Sequence, residues 1–83
     1  MPPNAIDVDI RYVLLETLYE VEVTMAGRGA RVQVESMEHL MDPSIRTKYA
    51  RVLAYRLGNR RVAGISRAIY AVLADQAEVE HAA

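Results

Sequence analysis

Two runs of alternating apolar and polar residues flank a short glycine-containing break: Tyr19-Glu20-Val21-Glu22-Val23-Thr24-Met25 before it, and Ala30-Arg31-Val32-Gln33-Val34-Glu35-Ser36 after it. Successive side chains of a strand point to opposite faces, so each run predicts a strand with one buried face. Gly27-Arg28 between them suits a two-residue type II′ turn, which wants glycine first. That turn predicts the pairs Met25–Ala30, Val23–Val32, Glu22–Gln33 and Val21–Val34, and a four-residue loop over Ala26–Gly29 gives the same register. Val21, Val23, Met25, Ala30, Val32 and Val34 then share the apolar face. A slip of one residue would set valine against glutamine and destroy both faces. The same register sets Glu20 against Glu35, a like-charge pair that calls for relief by Arg31 or by a partner.

A lone two-stranded ribbon is barely stable in water. The hairpin therefore needs helices on its apolar face, or another copy along its open edges. Helices are at hand. Ser36–Met41 has room for one helical turn, and Asp42-Pro43 is a strong helix start, with aspartate as N-cap and proline at the first position. Ile45, Tyr49, Val52 and Leu53 form the predicted buried stripe, and Gly58 reads as the stop. Asn59 reads as the cap of a second helix whose stripe is Val62, Ile65, Ile69, Val72 and Leu73. Gly64 and Ala68, four apart, permit close approach of another helix, which offsets the poor helix propensity of glycine.

Before the hairpin, Ile6, Ile10, Val13, Leu14 and Leu18 follow helical spacing, with Asn4 as N-cap, so a helix over 5–18 is the expectation. Ile6, Val8, Ile10 and Tyr12 also alternate as in a strand. The expected fold class is α+β: a small single domain over 1–83 in the order α-β-β-α-α, with helices packed on the hairpin or on a dimer partner and frayed ends at 1–4 and 77–83.

A chain of 83 residues has room for one domain and a marginal core. It has no cysteine to staple that core, yet 52% of its residues are hydrophobic. That combination points to a homo-oligomer, a dimer in the simplest case. No segment approaches the ~18 apolar residues of a membrane span, and no basic-then-apolar leader opens the chain. A cytoplasmic location, also consistent with the lack of cysteine, is the default expectation.

The net charge of −1 conceals segregation. Residues 1–42 carry eight acids against Arg11, Arg28 and Arg31, whereas 43–74 carry Arg46, Lys48, Arg51, Arg56, Arg60, Arg61 and Arg67 and no acid at all. Asp75, Glu78 and Glu80 return negative charge to the tail. Such asymmetry suggests a polyanionic partner, unless the acidic half covers the basic half within the fold or across subunits.

The chemistry on offer favours binding over catalysis. There is no thiol, no glycine-rich phosphate loop and no recognisable serine nucleophile motif, and His39 is the sole internal imidazole, so no enzyme activity, cofactor or metal is expected. Glu35, His39 and Asp42 would share a face if one helix covered them, but a solvated acidic surface explains them as well. Gly58 with a following arginine-rich helix hints at a DNA-binding helix-turn-helix, although the apolar position expected six residues after the turn glycine is Gly64; a plain helical hairpin is the better reading. Three tyrosines lie among the cations, but with no Phe or Trp a base-stacking platform is poorly supported. The expectation is a non-enzymatic nucleic-acid-associated regulator that uses the seven cations from Arg46 to Arg67. The alternative is a protein–protein adaptor or inhibitor whose basic helices dock an acidic partner and whose hairpin mediates oligomerisation.

Overall fold

The structure, a computed structural model, describes residues 8–82, with side chains as far as Gln76. Three strands come first: β1 (Val8–Leu14), β2 (Tyr19–Met25) and β3 (Arg28–Val34). A 3-10 helix over Met37–Met41 leads into α1 (Pro43–Leu57) and α2 (Val62–Ala82). The sheet is an antiparallel meander in the order β1-β2-β3. Both helices lie against one face of it, α1 over β3 and α2 over β1. The class is α+β, but the element order departs from the expected α-β-β-α-α at its first element, which is a strand. Of the stretches expected to fray, 1–4 lies outside the described residues, as does Ala83, whereas 77–82 continues α2.

Of the helix expected over 5–18, residues 5–7 lie outside the described residues, and over 8–14 the helical spacing is overridden by the needs of the hairpin. Strand β2 would otherwise carry an open backbone edge on one side. Val8, Ile10 and Val13 are β-branched and Tyr12 is aromatic, which suits a pleated surface. The alternation Val8-Ile10-Tyr12 places these three on the inner face, opposite Met25, Val23 and Val21. Leu15 N–H donates to the Leu18 carbonyl at 2.7 Å and closes the β1–β2 connection.

The β2–β3 register differs from the expected one by two residues. The pairs are Met25–Arg28, Val23–Ala30, Glu22–Arg31, Val21–Val32 and Glu20–Gln33, so the loop is Ala26-Gly27. Both loop residues have positive φ, 53° at Ala26 and 77° at Gly27, which is the type I′ signature and not II′. A shift of two leaves every side chain on its expected face. It also removes the Glu20–Glu35 opposition and sets Glu22 against Arg31, which explains the preference. The cost falls on Ala26, whose Cβ crowds the following carbonyl in the left-handed region by about 1–2 kcal/mol.

The core joins the inner sheet face to one side of each helix. Val21, Val23, Leu53, Ile65 and Ile69 are fully inaccessible, as are Leu40 of the 3-10 helix and Ala50. The α1 stripe is rotated from the expected one: Ala50, Leu53, Ala54 and Leu57 are buried, Ile45 and Tyr49 are half-buried, and Val52 is exposed. Small alanines on that line let α1 approach its neighbours closely, and the sequence spacing admits either rotation. Asp42 caps α1 through bonds from the Ser44 and Ile45 amides, with Pro43 in the first turn. Gly58, at φ 64°, closes it with the amides of Gly58 and Asn59 bonded back to Tyr55 and Ala54, the Schellman arrangement. Across the core, the Tyr12 hydroxyl donates to the Ile69 carbonyl at 2.8 Å, pinning β1 to α2. Burial pushes the Tyr12 phenol well above its ordinary range, partly offset by the nearby Arg46 guanidinium.

Relieving the turn tests the register. Ala26→Asn places a residue that tolerates positive φ before Gly27, and thermal denaturation should show a gain of up to about 1 kcal/mol. With a Gly27-Arg28 loop instead, position 26 would lie in the ladder and the same change would be neutral or destabilising.

Candidate nucleic-acid interface

The two helices and their connection carry all seven cations predicted to bind a partner, and the fold gives them three different tasks. Arg46 is structural. Its Nη1 donates to the carbonyls of Leu40 at 2.8 Å and Met41 at 3.2 Å, and its Nε to Ser66 Oγ at 3.2 Å. The guanidinium also sits over the Tyr70 ring, 4.8 Å from its centre, within cation–π range. One side chain thus satisfies the open end of the 3-10 helix and ties it to both α1 and α2. These bonds tie the start of α1 at residue 46 to α2 at residues 66 and 70.

Arg56 guards the sheet. Its guanidinium donates to the Arg31 carbonyl on the outer edge of β3. Arg28, which lies outside the basic run of the sequence, rests against the C-terminus of α1: a Cβ added to Gly58 would stand 3.1 Å from its Nη1. Positive charge there complements the helix dipole.

The remaining five, Lys48, Arg51, Arg60, Arg61 and Arg67, are exposed. Lys48, Arg51, Val52 and Tyr55 follow the i, i+3, i+4, i+7 spacing of one helix face, directed away from the buried Ala50–Leu53–Leu57 line. Tyr55 is 87% exposed. On α2 the outward positions are Ala63, Arg67, Tyr70, Ala71, Asp75 and Gln76. Arg60 and Arg61 occupy the short connection, where the Asn59 side chain accepts a 2.8 Å bond from the Arg61 amide and shapes the approach to α2.

Asp75 is exposed on α2, about two turns beyond Arg67; most of the other described acids lie away from the helices. Asp9, Glu20 and Glu22 are on the outer face of the sheet, interleaved with Arg11 and Arg31. Glu35 and Glu38 flank the start of the 3-10 helix, and Asp42 is the α1 cap. Among the described residues the ion pair present is Arg31–Glu20, at 3.9 Å, and no cation of 43–74 has an acidic partner. The acidic half therefore does not cover the basic half within one described chain. Glu35 follows β3 and the 3-10 helix spans only Met37–Met41, so Glu35, His39 and Asp42 are not on one helix face as a metal site at that spacing requires. Among the described residues no helix is long and apolar enough to cross a membrane.

Comparisons with protein-family models, with curated proteins and with solved structures found no match to the chain.

The division of labour among the cations is open to measurement. Arg46→Ala should cost about 2 kcal/mol of folding stability, the scale of charge-assisted bonds plus a ring contact. Arg51→Ala and Lys48→Ala should stay within about 0.5 kcal/mol of wild type in the same denaturant titration.

Proposed function

We propose that this chain is a non-enzymatic binding module whose helical layer contacts nucleic acid through its phosphates. The observation that carries this reading is that Lys48, Arg51, Arg60, Arg61 and Arg67 are all exposed on the helices and their connection with no ion-pair partner among the described residues, while Asp9, Glu20 and Glu22 belong to the outer face of the sheet. A surface of one sign raises the local concentration of a polyanion and speeds its encounter. Phosphate contact needs charge at roughly the right spacing, without the fixed geometry of base reading. Gly64 stands at the apolar position a helix-turn-helix expects six residues after Gly58, so the reading is backbone contact with little sequence preference. Arg46 is excluded from the binding set by its internal bonds, and Arg56 contributes only by leaving the Arg31 carbonyl.

One observation supports the adaptor reading as a second choice. Val52, 38% exposed, and Tyr55 add apolar surface beside Lys48 and Arg51, a mixture that also suits an acidic protein surface. Phosphate contact remains favoured because Arg60, Arg61 and Arg67 extend the charge beyond that apolar strip.

Binding to mixed-sequence duplex and single-stranded nucleic acid, followed by anisotropy at several salt concentrations, tests the proposal. Affinity should fall steeply with salt. Arg60→Ala with Arg61→Ala should lower the magnitude of the log–log salt slope by about one for each phosphate no longer neutralised. Binding that is absent at low salt, or unchanged in the double variant, overturns the reading.

A further inference from the structure

We infer that the free edge of β1 is a self-recognition surface, where two copies of the chain pair antiparallel about Ile10 into one six-stranded sheet. The inference does not depend on what the helices bind.

Hydrogen-bond parity shows which groups the edge offers. The two-residue loop makes Met25–Arg28 a bonded pair, so the odd residues of β2 bond to β3 and the even ones to β1. Their partners on β1 are Asp9, Arg11 and Val13. The Leu15–Leu18 bond falls on the same parity. Val8, Ile10, Tyr12 and Leu14 therefore direct their N–H and C=O groups away from the sheet. On the far side the free groups of β3 belong to Gly29, Arg31 and Gln33, and there Arg56 occupies the Arg31 carbonyl. Among the described residues nothing performs that service for β1. One edge is guarded and the other is open.

Charge selects how a second copy would pair with the open edge. Centring the dyad on Asp9 sets aspartate against aspartate, and centring it on Arg11 sets arginine against arginine. Centring it on Ile10 sets Asp9 against Arg11 of the second copy, twice. These are non-hydrogen-bonded pairs, the kind whose side chains approach most closely. The same register sets Ile10 on Ile10 and Val8 on Tyr12 along the inner face. Asp9 and Arg11 are both exposed and neither has an ion-pair partner among the described residues.

The helix above the edge fits such a dimer. Ser66 and Tyr70 face α1 through Arg46, so at 100° per residue the opposite flank of α2 presents Gly64, Ala68, Ala71, Val72 and, a turn further on, the exposed Asp75. No long side chain stands there to hold two copies apart. Antiparallel pairing about an axis normal to the sheet keeps both helical layers on one side of it.

Sedimentation of the purified protein should show a concentration-dependent dimer. Asp9→Arg and Arg11→Asp should each weaken it about tenfold by setting like charges face to face, while circular dichroism shows each variant folded. A mixture of the two variants should recover dimer as a heterodimer, because one chain then presents two arginines to the two aspartates of the other. In the wild-type dimer the Ile10 and Tyr12 amides should be protected from hydrogen exchange. A monomer at all concentrations, variants that dimerise as wild type does, a mixture that stays monomeric, or an Ile10 amide that exchanges freely in the dimer would each overturn the inference.

Discussion

The two-residue turn at Ala26-Gly27 sets the geometry on which the rest of this molecule depends. It decides which backbone groups of β2 point to β3 and which to β1, and hence which groups the sheet edges leave free. It aligns Val23 with Ala30, in a row with Ile10 that the helices cover, and Glu22 with Arg31, in a row with Arg11 on the open face. The hydrophobic drive fixes only the parity of that alignment. Charge pairing across the strands chooses among registers of equal parity, at the cost of a non-glycine residue held at positive φ.

The helices are held to that sheet by apolar burial and by one polar hub. A core this small has little margin, and the 3-10 helix that joins sheet to helices would leave carbonyls open at its end. Arg46 meets both needs by bonding Leu40, Met41 and Ser66 while covering Tyr70. Tyr12 ties the other flank to Ile69. With Arg46 and Arg56 engaged in structure, the basic segment is less generously charged towards solvent than its composition suggests, yet what remains lies on one side.

Much of this is legible in the residues, for reasons that can be named. Period-two alternation reveals both hairpin strands and their faces because it survives any even shift in register. Asp42-Pro43 and Gly58 mark the ends of α1 because capping is local chemistry. Gly27 is ambiguous, since glycine serves the first position of a II′ turn and the second of an I′ turn. The first strand reads as a helix because Ile10, Val13 and Leu14 satisfy a helical period while Val8, Ile10 and Tyr12 satisfy a strand period; the open edge of β2, a tertiary fact, decides between them. Val52 joins the predicted stripe wrongly because Ala50 and Ala54, which carry little hydrophobic signal, take the buried line. Nothing in the spacing marks Arg46 as internal: its partners are two backbone carbonyls and a hydroxyl twenty residues away.

The fold thus sets mixed acids and arginines outside the sheet and a mostly basic surface outside the helices, broken by Asp75 on α2. Amide chemical shifts, followed by NMR while a nucleic-acid oligomer is titrated into labelled protein, read that separation residue by residue. The changes should cluster at Lys48, Arg51, Tyr55, Arg60, Arg61 and Arg67 and leave the outer strand positions Arg11, Glu22 and Arg31 in place. Changes centred on the sheet face, or none at low salt, would contradict the assignment of the helical layer as the binding surface.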